Sequence, residues 1–203
     1  MNKVLVLGAG RVAGPLVRFL LDRDIFVTLA DQVKSRADKL IGGHSNGMPI
    51  YWSGDNQEKL EELVASHDLT VSFLPFAHHI NVARHCLKQK KNMVTTSYVK
   101  PEMQALDKSA RDAGIIILNE MGLDPGLDHM SAIKVIDRIH DRSGKIEEFY
   151  SFCGALPAPE SSGNPFKYLF SWSPKGVLMA GNSDAHYLNN GKEVFVDGKD
   201  LFM

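Results

Sequence analysis

A glycine-rich turn near the start of the chain holds the first residues that could do chemistry: Gly8-Ala9-Gly10-Arg11-Val12-Ala13. Its spacing is G-x-G-x-x-A, in which Gly8 permits a tight turn and Gly10, which has no Cβ, lets a diphosphate approach the backbone. Small Ala13, with Gly14 behind it, lets the following helix pack against the strand. Free N–H groups at the start of that helix attract phosphates. The turn predicts a dinucleotide site, and a ligand-free tight turn is the alternative.

A carboxylate suited to the ribose of the same ligand, Asp31, ends the second apolar run, about 20 residues after the first glycine. A carboxylate there accepts hydrogen bonds from both ribose hydroxyls and repels a 2′-phosphate, so NAD is favoured over NADP. Lys34 and Arg36 follow closely and could reach a 2′-phosphate, so NADP stays possible. Asp31 could instead cap the next helix.

Unusual residues follow two further apolar runs. Asp55 lies in Trp52-Ser53-Gly54-Asp55-Asn56 and could face the adenine or cap the next helix. Leu74-Pro75 ends another run, and Pro75 would stiffen a loop against the nicotinamide ribose. Ligands of open parallel sheets bind at the carboxyl ends of the strands, so both segments are candidate cofactor contacts.

The segments around Tyr98 and Asp124 are candidates for contact with a substrate. Thr96-Ser97-Tyr98 ends the fifth apolar run, and Tyr98 could donate a hydrogen bond to a substrate carboxylate or imine nitrogen. Tyr98 could instead pack as an interface aromatic. Asp124 lies in Gly122-Leu123-Asp124-Pro125-Gly126, where Pro and Gly would aim its carboxylate. An Asx-turn role for Asp124 is the alternative.

The histidines and cysteines predict no metal centre. His78 and His79 are adjacent and point to different helix faces, whereas helical metal-ligand pairs are spaced by three or four residues. Cys86 and Cys153 are the only cysteines, and their separation suits neither a metal site nor a disulfide framework. This usage favours a reducing cytoplasm. Cys153 follows a predicted strand and could line the crevice, although we expect a small buried apolar role for it.

The first part of the chain alternates apolar, β-branched runs with amphipathic stretches of helical period. Strands are predicted at residues 4–7, 25–30, 50–52, 69–74, 92–95 and 115–118, and helices at 12–21, 35–40, 57–66, 78–89, 101–113. This alternation predicts an α/β fold, a Rossmann-type doubly wound parallel sheet whose strands are buried on both faces.

The pattern changes after residue 119. Residues 122–126 are a turn-rich hinge, and a helix is predicted at 128–140 with Asp128 as its N-cap. A strand at 147–153, a loop at 156–165 and a helix at 172–182 complete the expectation. The predicted domains are a dinucleotide-binding Rossmann domain at 1–122 and the start of an α+β substrate domain at 123–203.

Composition excludes several classes of partner. The chain has 203 residues, of which 44% are hydrophobic and 23% charged, with a net charge of -1 and a pI of about 6.7. No basic face predicts nucleic-acid binding. No stretch reaches the roughly 20 apolar residues of a membrane span. The N-terminus shows no targeting pattern, so the predicted location is the cytoplasm.

Four stretches of the sequence carry a resemblance to a known family. They are Gly8-Ala9-Gly10-Arg11-Val12, then Val94-Thr95-Thr96-Ser97-Tyr98-Val99-Lys100-Pro101, then Asn119-Glu120-Met121-Gly122-Leu123-Asp124-Pro125-Gly126-Leu127-Asp128-His129, and last Ser151-Phe152-Cys153-Gly154-Ala155-Leu156-Pro157-Ala158-Pro159-Glu160 with Asn164-Pro165 and Phe170-Ser171-Trp172-Ser173-Pro174. Together they resemble saccharopine dehydrogenase of the L-glutamate-forming type. The likeness covers essentially the whole chain, and the last two stretches are its specific part.

The resemblance implies an oxidoreductase of lysine metabolism. Such enzymes transfer hydride from the carbon beside the secondary amine of saccharopine to NAD(P), and hydrolysis of the imine yields glutamate and aminoadipate semialdehyde. The positions implied to hold the cofactor are Gly8, Gly10, Arg11, Val12, Ala13, Asp31, Asp55, Leu74, Pro75, Thr96, Ser97 and Tyr98. Asp31 resembles the NAD-using members.

The substrate contacts implied by the resemblance are Ser97, Tyr98 and Asp124. Among them, Tyr98 and Asp124 are the catalytic candidates. Asp124 would stabilise the positive charge that develops on the amine nitrogen, and Tyr98 would orient the amine or the attacking water. The general base is left unassigned.

The chain departs from the family in length. Family members continue well beyond the position of Met203, into basic residues that bind substrate carboxylates, so we expect weak NAD binding and little or no turnover of saccharopine. Two alternatives stay open: a related imine-reducing enzyme of the carboxynorspermidine or homospermidine type, and a non-catalytic dinucleotide-binding remnant. Exposed surface could also support a homodimer.

Overall fold

The structure, a computed structural model, describes residues 2–154 and 156–201. Ala155, which belongs to the fourth resembling stretch, lies outside the described residues, as do Met1, Phe202 and Met203. The chain divides into two compact units, Met1–Cys153 and Gly154–Met203. The domain division predicted at residues 122/123 follows the sequence pattern rather than compactness, and it stays a prediction.

The first unit is built on a six-stranded parallel sheet of order β3-β2-β1-β4-β5-β6. Its strands are β1 Lys3–Leu7, β2 Phe26–Asp31, β3 Gly47–Tyr51, β4 Leu69–Ser72, β5 Asn92–Thr95 and β6 Ile117–Leu118. In the centre, Val6 of β1 pairs with Leu29 on one side and Val71 on the other. The strand order reverses between β1 and β4, and such a reversal opens a crevice at the carboxyl ends. The predicted Rossmann-type α/β class is confirmed.

Helices follow the strands of this sheet, one after each strand including the last, β6, except that β5 is followed by two. They are α1 Ala13–Leu21, α2 Lys34–Ile41, α3 Gln57–Ala65, α4 His79–Gln89, α5 Pro101–Gln104, α6 Asp107–Ala113 and α7 Leu127–His140, with a 3₁₀ turn Phe76–His78 before α4. The single helix predicted at 101–113 is wrong, because it breaks into α5 and α6. In the break, Leu106 donates to the carbonyl of Met103 at 3.0 Å. Both side chains pack into one apolar cluster.

Apolar side chains cover both faces of the sheet. Leu5 and Leu7 of β1 belong to one buried cluster with residues of α3 and α4. Val4 and Val6 belong to a second cluster with residues of α1 and α2. Successive side chains of a strand point to opposite faces, so the run 4–7 is apolar throughout because both faces of β1 are covered.

Two expectations for the residues after β6 are wrong. The N-cap of α7 is Gly126, and Asp128 lies in the first turn, where its Oδ1 accepts the Gly126 N–H at 3.0 Å. Residues 147–153, all of them described, form no strand. Phe152 there is 93% exposed, and no described strand pairs with this segment to satisfy its backbone groups.

The second unit contains a helix and a hairpin. The helix α8 spans Pro174–Ala180, inside the predicted 172–182, and the Ser173 hydroxyl caps it by accepting the Gly176 N–H at 3.1 Å. Strands β7 Ala185–Asn189 and β8 Lys192–Val196 pair antiparallel across Asn190-Gly191, which have φ of 49° and 74°. Short 3₁₀ turns occur at Pro159–Ser161 and Gly198–Asp200. No helix in the described part of the chain is long and apolar enough to cross a bilayer.

Candidate functional site

The glycine-rich turn leads from β1 into α1 at the carboxyl edge of the sheet. Gly8 has a φ of 101°, and a Cβ on it would lie 3.2 Å from the carbonyl oxygen of Phe73, just past β4. The conformation and the close approach both require glycine here. The turn thus lies at the β1/β4 reversal, where an open α/β sheet binds its ligand.

The surroundings of Gly10 fit a dinucleotide diphosphate. Gly10 is exposed, and a Cβ on it would meet no protein atom within 4 Å. Val12 is the N-cap of α1, and no side chain of the described residues caps that helix. The helix therefore begins with backbone N–H groups that an anion can bind, and the space above Gly10 is open to it.

The two small residues at the start of α1, Ala13 and Gly14, are closely packed. Ala13 is fully buried. A Cβ on Gly14, however, would lie 3.4 Å from Leu40 of α2. Gly14 therefore lies next to α2, and the packing of Ala13 and Gly14 against the strand stays a prediction. Arg11 and Val12, the other two residues of the turn, are exposed.

Asp31 at the end of β2 is tied to the glycine-rich turn. Its Oδ2 accepts the Ala9 N–H at 2.7 Å, and its Oδ1 accepts the Val33 N–H, also at 2.7 Å. The residue is only 9% exposed, so both contacts hold the carboxylate in one orientation. Each carboxylate oxygen can accept more than one hydrogen bond, so both remain able to bind a ribose hydroxyl. Val33 is itself the N-cap of α2, and no side-chain hydrogen bond caps that helix, so the alternative role of Asp31 as a helix cap is wrong.

The alternative role of Asp55 as a helix cap is wrong. Asn56 is the N-cap of α3, and its side chain accepts the Lys59 N–H at 2.8 Å. Asp55 is exposed in the loop after β3, next to Gly54 with its φ of 89°. Its side chain is free of a capping role at the edge of the sheet where the adenine half of a dinucleotide would lie.

The loops after β4 and β5 form the other side of the crevice. Leu74 is half-buried against the apolar cluster under the sheet, and exposed Pro75 precedes the 3₁₀ turn into α4. Thr96 lies against the hinge after β6, since a Cβ on Gly122 would be 3.5 Å from the Thr96 Cβ. The carbonyl oxygen of Ser97 accepts the Glu120 N–H at 3.1 Å. The segment after β5 is thereby fixed to the hinge.

A buried histidine that lies outside every motif named above links these strand ends. His79, the first residue of α4, is 3% exposed. Its Nδ1 lies 2.9 Å from the Ser72 hydroxyl, and its Nε2 lies 2.8 Å from the Ser97 hydroxyl and 3.0 Å from that of Thr95. Burial lowers the pKa of His79 to about 4, and neighbouring His78 acts in the same direction. A serine or threonine at the end of each of two adjacent strands was the available sequence signal.

Tyr98 and Asp124 are directly hydrogen-bonded. The Tyr98 hydroxyl donates to Asp124 Oδ1 at 2.6 Å, although 26 residues separate the two in sequence. The hydrogen bond to Asp124, which is the main cause, and partial desolvation, which is the second, raise the pKa of Tyr98 to about 12. The phenol is therefore neutral and can donate at physiological pH. Tyr98 is 53% exposed, which makes the pair accessible to a ligand.

The loop that carries Asp124 admits no side chain at Gly126. Gly126 has a φ of 149°, and a Cβ on it would clash with the Gly122 carbonyl and lie 2.7 Å from that of Glu120. The Gly122 N–H donates to the Pro125 carbonyl at 2.9 Å, and the Leu127 N–H donates to Gly122 at 3.0 Å. These bonds close the loop, so the position of the Asp124 carboxylate is set by the backbone.

Asp124, Asp128 and His129 bring potential ligand atoms within 4.8 Å of one another. This grouping was not predicted, because the sequence argument considered histidine pairs only. Asp128 Oδ1 lies 2.8 Å from His129 Nδ1, and the Gly126 N–H donates to both side chains. Desolvation acts to raise the pKa of Asp128, but the N–H groups of His129 and Gly126 lower it overall. The start of α7 accounts for these contacts without a metal ion.

Cys153 lies beside the Tyr98–Asp124 pair. The expectation of a buried apolar role is wrong, since Cys153 is exposed and Cys86 is the buried cysteine. Desolvation, and then the charges of Asp124 and Asp128, raise the pKa of the Cys153 thiol. Cys153 is thus a protonated neighbour of the Asp124 carboxylate. Its distance in sequence from Asp124 hid this proximity.

Two family models match the chain. Residues 4–118 match the saccharopine dehydrogenase NADP binding domain, and residues 122–203 match the saccharopine dehydrogenase C-terminal domain. The chain belongs to the saccharopine dehydrogenase family. The resemblance inferred from the four sequence stretches is therefore confirmed.

Curated relatives within this family are about twice as long or longer. The chain is 46% identical over 200 residues to the saccharopine dehydrogenase (NADP(+), L-glutamate-forming) of Pyricularia oryzae, which covers 98% of this chain and 44% of that protein. It is also 46% identical over 203 residues to the mitochondrial alpha-aminoadipic semialdehyde synthase of Rattus norvegicus, covering 100% of this chain and 22% of that protein. The chain spans less than half the length of the curated relatives it matches.

A solved structure of the family has the same fold. Apo histidine-tagged saccharopine dehydrogenase (L-Glu forming) from Saccharomyces cerevisiae matches with a TM-score of 0.86 and 39% sequence identity. The match covers 98% of this chain and 45% of that one. The fold of this chain is thus shared with that solved structure.

The pKa of Tyr98 provides a test of the Tyr98–Asp124 pair. We expect Asp124→Asn to lower that pKa from about 12 toward the ordinary value of 10.0, because the hydrogen bond to Asp124 is the largest cause of the shift. Ultraviolet difference titration of phenolate formation measures it, with Tyr98→Phe to identify the signal and circular dichroism to confirm folding. Asp112→Asn, an exposed carboxylate on α6, should leave the titration unchanged. An equal Tyr98 pKa in both Asn variants contradicts the pairing.

Proposed function

We propose that the chain supplies the dinucleotide-binding part, and a first portion of the substrate-binding part, of a saccharopine dehydrogenase in lysine metabolism. The reaction converts saccharopine, NAD⁺ and water to glutamate, aminoadipate semialdehyde, NADH and a proton. The observation that carries the proposal is the placement of the Tyr98–Asp124 pair in the loops after β5 and β6, at the same edge of the sheet as the glycine-rich turn. The family match supports the choice of saccharopine as substrate.

The proposed cofactor site is the edge around the β1/β4 reversal. The turn from Gly8 to Ala13 would bind the diphosphate, and Asp31 would accept the adenosine ribose hydroxyls. Leu74 and Pro75, with the loop 96–98, would surround the nicotinamide half. When bound, the nicotinamide accepts a hydride from the carbon beside the substrate amine.

The proposed substrate contacts are Ser97, Tyr98 and Asp124. Positive charge develops on the amine nitrogen as hydride leaves, and the Asp124 carboxylate would stabilise it. Neutral Tyr98 would orient the amine or the attacking water through its hydroxyl, while its bond to Asp124 holds the ring in place. The Cys153 thiol, beside the same carboxylate, is a third group within reach of this centre.

We propose NAD as the preferred cofactor, although the fungal relatives are named for NADP(+). Support comes from Asp31, whose carboxylate is held at the ribose end of the site by Ala9 and Val33. A fixed negative charge there repels a 2′-phosphate of roughly -1.5 to -2 charges. Lys34, which could have offset this charge, is paired with Asp38 at 2.6 Å.

Asp31→Asn tests the preference for NAD. The change keeps the shape and one acceptor oxygen for Ala9 or Val33 but removes the charge. We expect the wild-type chain to bind NADH more tightly than NADPH. In the variant, the Kd for NADPH divided by the Kd for NADH should fall roughly tenfold. Calorimetric titration of both cofactors measures it, with Asp112→Asn as the matched control. A ratio that stays the same in Asp31→Asn overturns the assigned role.

Substrate turnover tests the reaction itself. Saccharopine-dependent formation of NADH, followed by absorbance, supports the full proposal. NADH binding with no turnover supports a dinucleotide-binding role without catalysis by this chain. Turnover of carboxynorspermidine or homospermidine precursors in place of saccharopine would favour the related imine-reducing enzymes. Lack of binding to any dinucleotide rejects the proposal.

Location and assembly are further proposals. No described helix could cross a bilayer. One relative is named as mitochondrial, whereas we propose the cytoplasm from the sequence. We also propose a homodimer, which sedimentation of the purified chain tests directly.

A further inference from the structure

His79 joins three elements of the sheet edge through its imidazole ring. Nδ1 contacts the Ser72 hydroxyl at the end of β4 at 2.9 Å. Nε2 contacts the Thr95 hydroxyl at the end of β5 at 3.0 Å and the Ser97 hydroxyl beyond it at 2.8 Å. The ring is 3% exposed, so solvent does not compete for these bonds. His79 is not among the groups to which we assigned a contact with cofactor or substrate.

The ring is neutral under the conditions in which the protein works. Burial lowers the pKa of His79 to about 4, so the imidazole has one N–H donor and one acceptor nitrogen at neutral pH. The hydroxyls around it can each donate or accept, so every ring nitrogen is satisfied in either tautomer. In one tautomer Ser97 uses its lone pair toward His79, and in the other it uses its proton. In both tautomers the bond to His79 fixes the position of the Ser97 oxygen. The proton or lone pair that the bond does not use is left for a ligand.

Ser97 lies where the unused hydrogen-bonding capacity of its hydroxyl would meet the cofactor. It is half-buried in the segment that follows β5, on the nicotinamide side of the β1/β4 reversal. Its carbonyl oxygen accepts the Glu120 N–H, so the backbone is fixed from the side of the hinge. The hydroxyl would be free to rotate without a partner. His79 supplies that partner from beneath the loop.

We propose that His79 is a positioning residue that holds the Ser97 hydroxyl toward the nicotinamide half of the bound dinucleotide. The proposal rests on the proposed function, because it needs the dinucleotide in the crevice. His79 itself makes no contact with the ligand. Its effect on binding is therefore expected to pass through Ser97 alone.

Two replacements of His79 separate its two hydrogen bonds. The amide of His79→Gln extends far enough to replace Nε2 toward Ser97, whereas that of His79→Asn replaces Nδ1 toward Ser72. We expect His79→Asn to weaken NADH binding roughly tenfold, as the loss of one hydrogen bond would. His79→Gln should retain wild-type affinity to within about threefold. A purely structural role predicts a similar loss in both variants, in proportion to their loss of thermal stability.

A double-mutant cycle tests whether the effect passes through Ser97. Ser97→Ala should weaken NADH binding by roughly the same factor as His79→Asn, and the double variant should bind no more weakly than either single one. NADH fluorescence on the whole chain gives each Kd. The inference is overturned if the loss of NADH affinity in the double variant equals the product of the two single losses. It is also overturned if His79→Asn binds NADH with wild-type affinity. Failure of the wild-type chain to bind NADH would instead overturn the proposed function and this inference with it.

A second measurement needs no change at His79, in case His79→Asn does not fold. The ring nitrogens of His79 in the wild-type chain should shift in ¹⁵N NMR spectra when NADH is added, because the ligand polarises the Ser97 hydroxyl bound to Nε2. The shift should largely vanish in Ser97→Ala. An NADH-induced shift of the same size in that variant overturns the inference.

Discussion

Replacement of Gly10 by aspartate is expected to abolish dinucleotide binding and leave the fold intact. A Cβ at this position meets no protein atom within 4 Å, so the new side chain enters only the space assigned to the diphosphate. Its charge would lie within a few ångströms of the phosphates, where like charges near a protein surface repel by a few kcal/mol. We expect NADH affinity to fall roughly a hundredfold or more.

Gly154→Asp is the matched control for this substitution. A Cβ on Gly154 also meets no protein atom within 4 Å, but Gly154 lies in the other compact unit. Calorimetry should show unchanged NADH binding for it, and circular dichroism should show a native fold for both variants. Normal NADH affinity in a folded Gly10→Asp variant would show that the diphosphate does not bind at the glycine-rich turn.

Acid should destabilise the first compact unit through His79. Its pKa lies at about 4 when folded and at an ordinary 6.5 when unfolded. Below 6.5 the unfolded chain binds a proton that the folded chain does not, so stability is lost as pH falls toward the folded pKa. The free energy of unfolding should drop by about 2 kcal/mol between about pH 7 and pH 5 from this residue alone. Buried His67, whose pKa desolvation also lowers, acts in the same direction.

Urea unfolding at the two pH values measures the effect. Trp52 is 4% exposed in the first unit, whereas Trp172 lies in the second, so a Trp172→Phe background makes the fluorescence specific. In His79→Gln, which cannot be protonated, the acid-induced loss should shrink by about 2 kcal/mol. His140→Gln, an exposed histidine on α7, should leave the wild-type loss unchanged. Equal acid losses in His79→Gln and in the wild-type chain contradict the assignment.

The fold was predictable where one local pattern determines it. The apolar run at 4–7 reports a strand covered on both faces, and the spacing of Gly8 and Gly10 reports the turn that follows. The break between α5 and α6 was not predictable, because Pro101 and Gly114 bracket a continuous helical pattern. At the break the Leu106 N–H donates to the Met103 carbonyl, and neither Ala105 nor Leu106 is a residue type that breaks helices.

The second unit shows the opposite error. Asn190-Gly191, between two segments of alternating apolar and polar residues, is a strong local indication of a hairpin. The hairpin was nevertheless not among the predicted elements. The strand expected at 147–153 had the right residue types but no partner strand among the described residues. Propensity alone does not form a strand, since its backbone groups need a neighbour.

The candidate site was predictable in its members but not in its connections. Tyr98 and Asp124 were selected separately, each at the end of a strand, and the 2.6 Å bond between them is a product of the fold. The roles of Cys153 and His79 were not predicted correctly, because no local spacing pattern indicates the neighbours of either residue. Each acquires its neighbours only when distant segments meet, which a single sequence does not reveal.

The strand order also sets the sequence in which the molecule can assemble during synthesis. β1 lies between β2 and β4, so residues 3–51 can form three paired strands while one side of β1 has no neighbour. That side stays unpaired until Leu69–Ser72 has emerged from the ribosome. An open apolar strand edge invites association with other nascent chains, so elongation through this interval is when the polypeptide most needs chaperone protection.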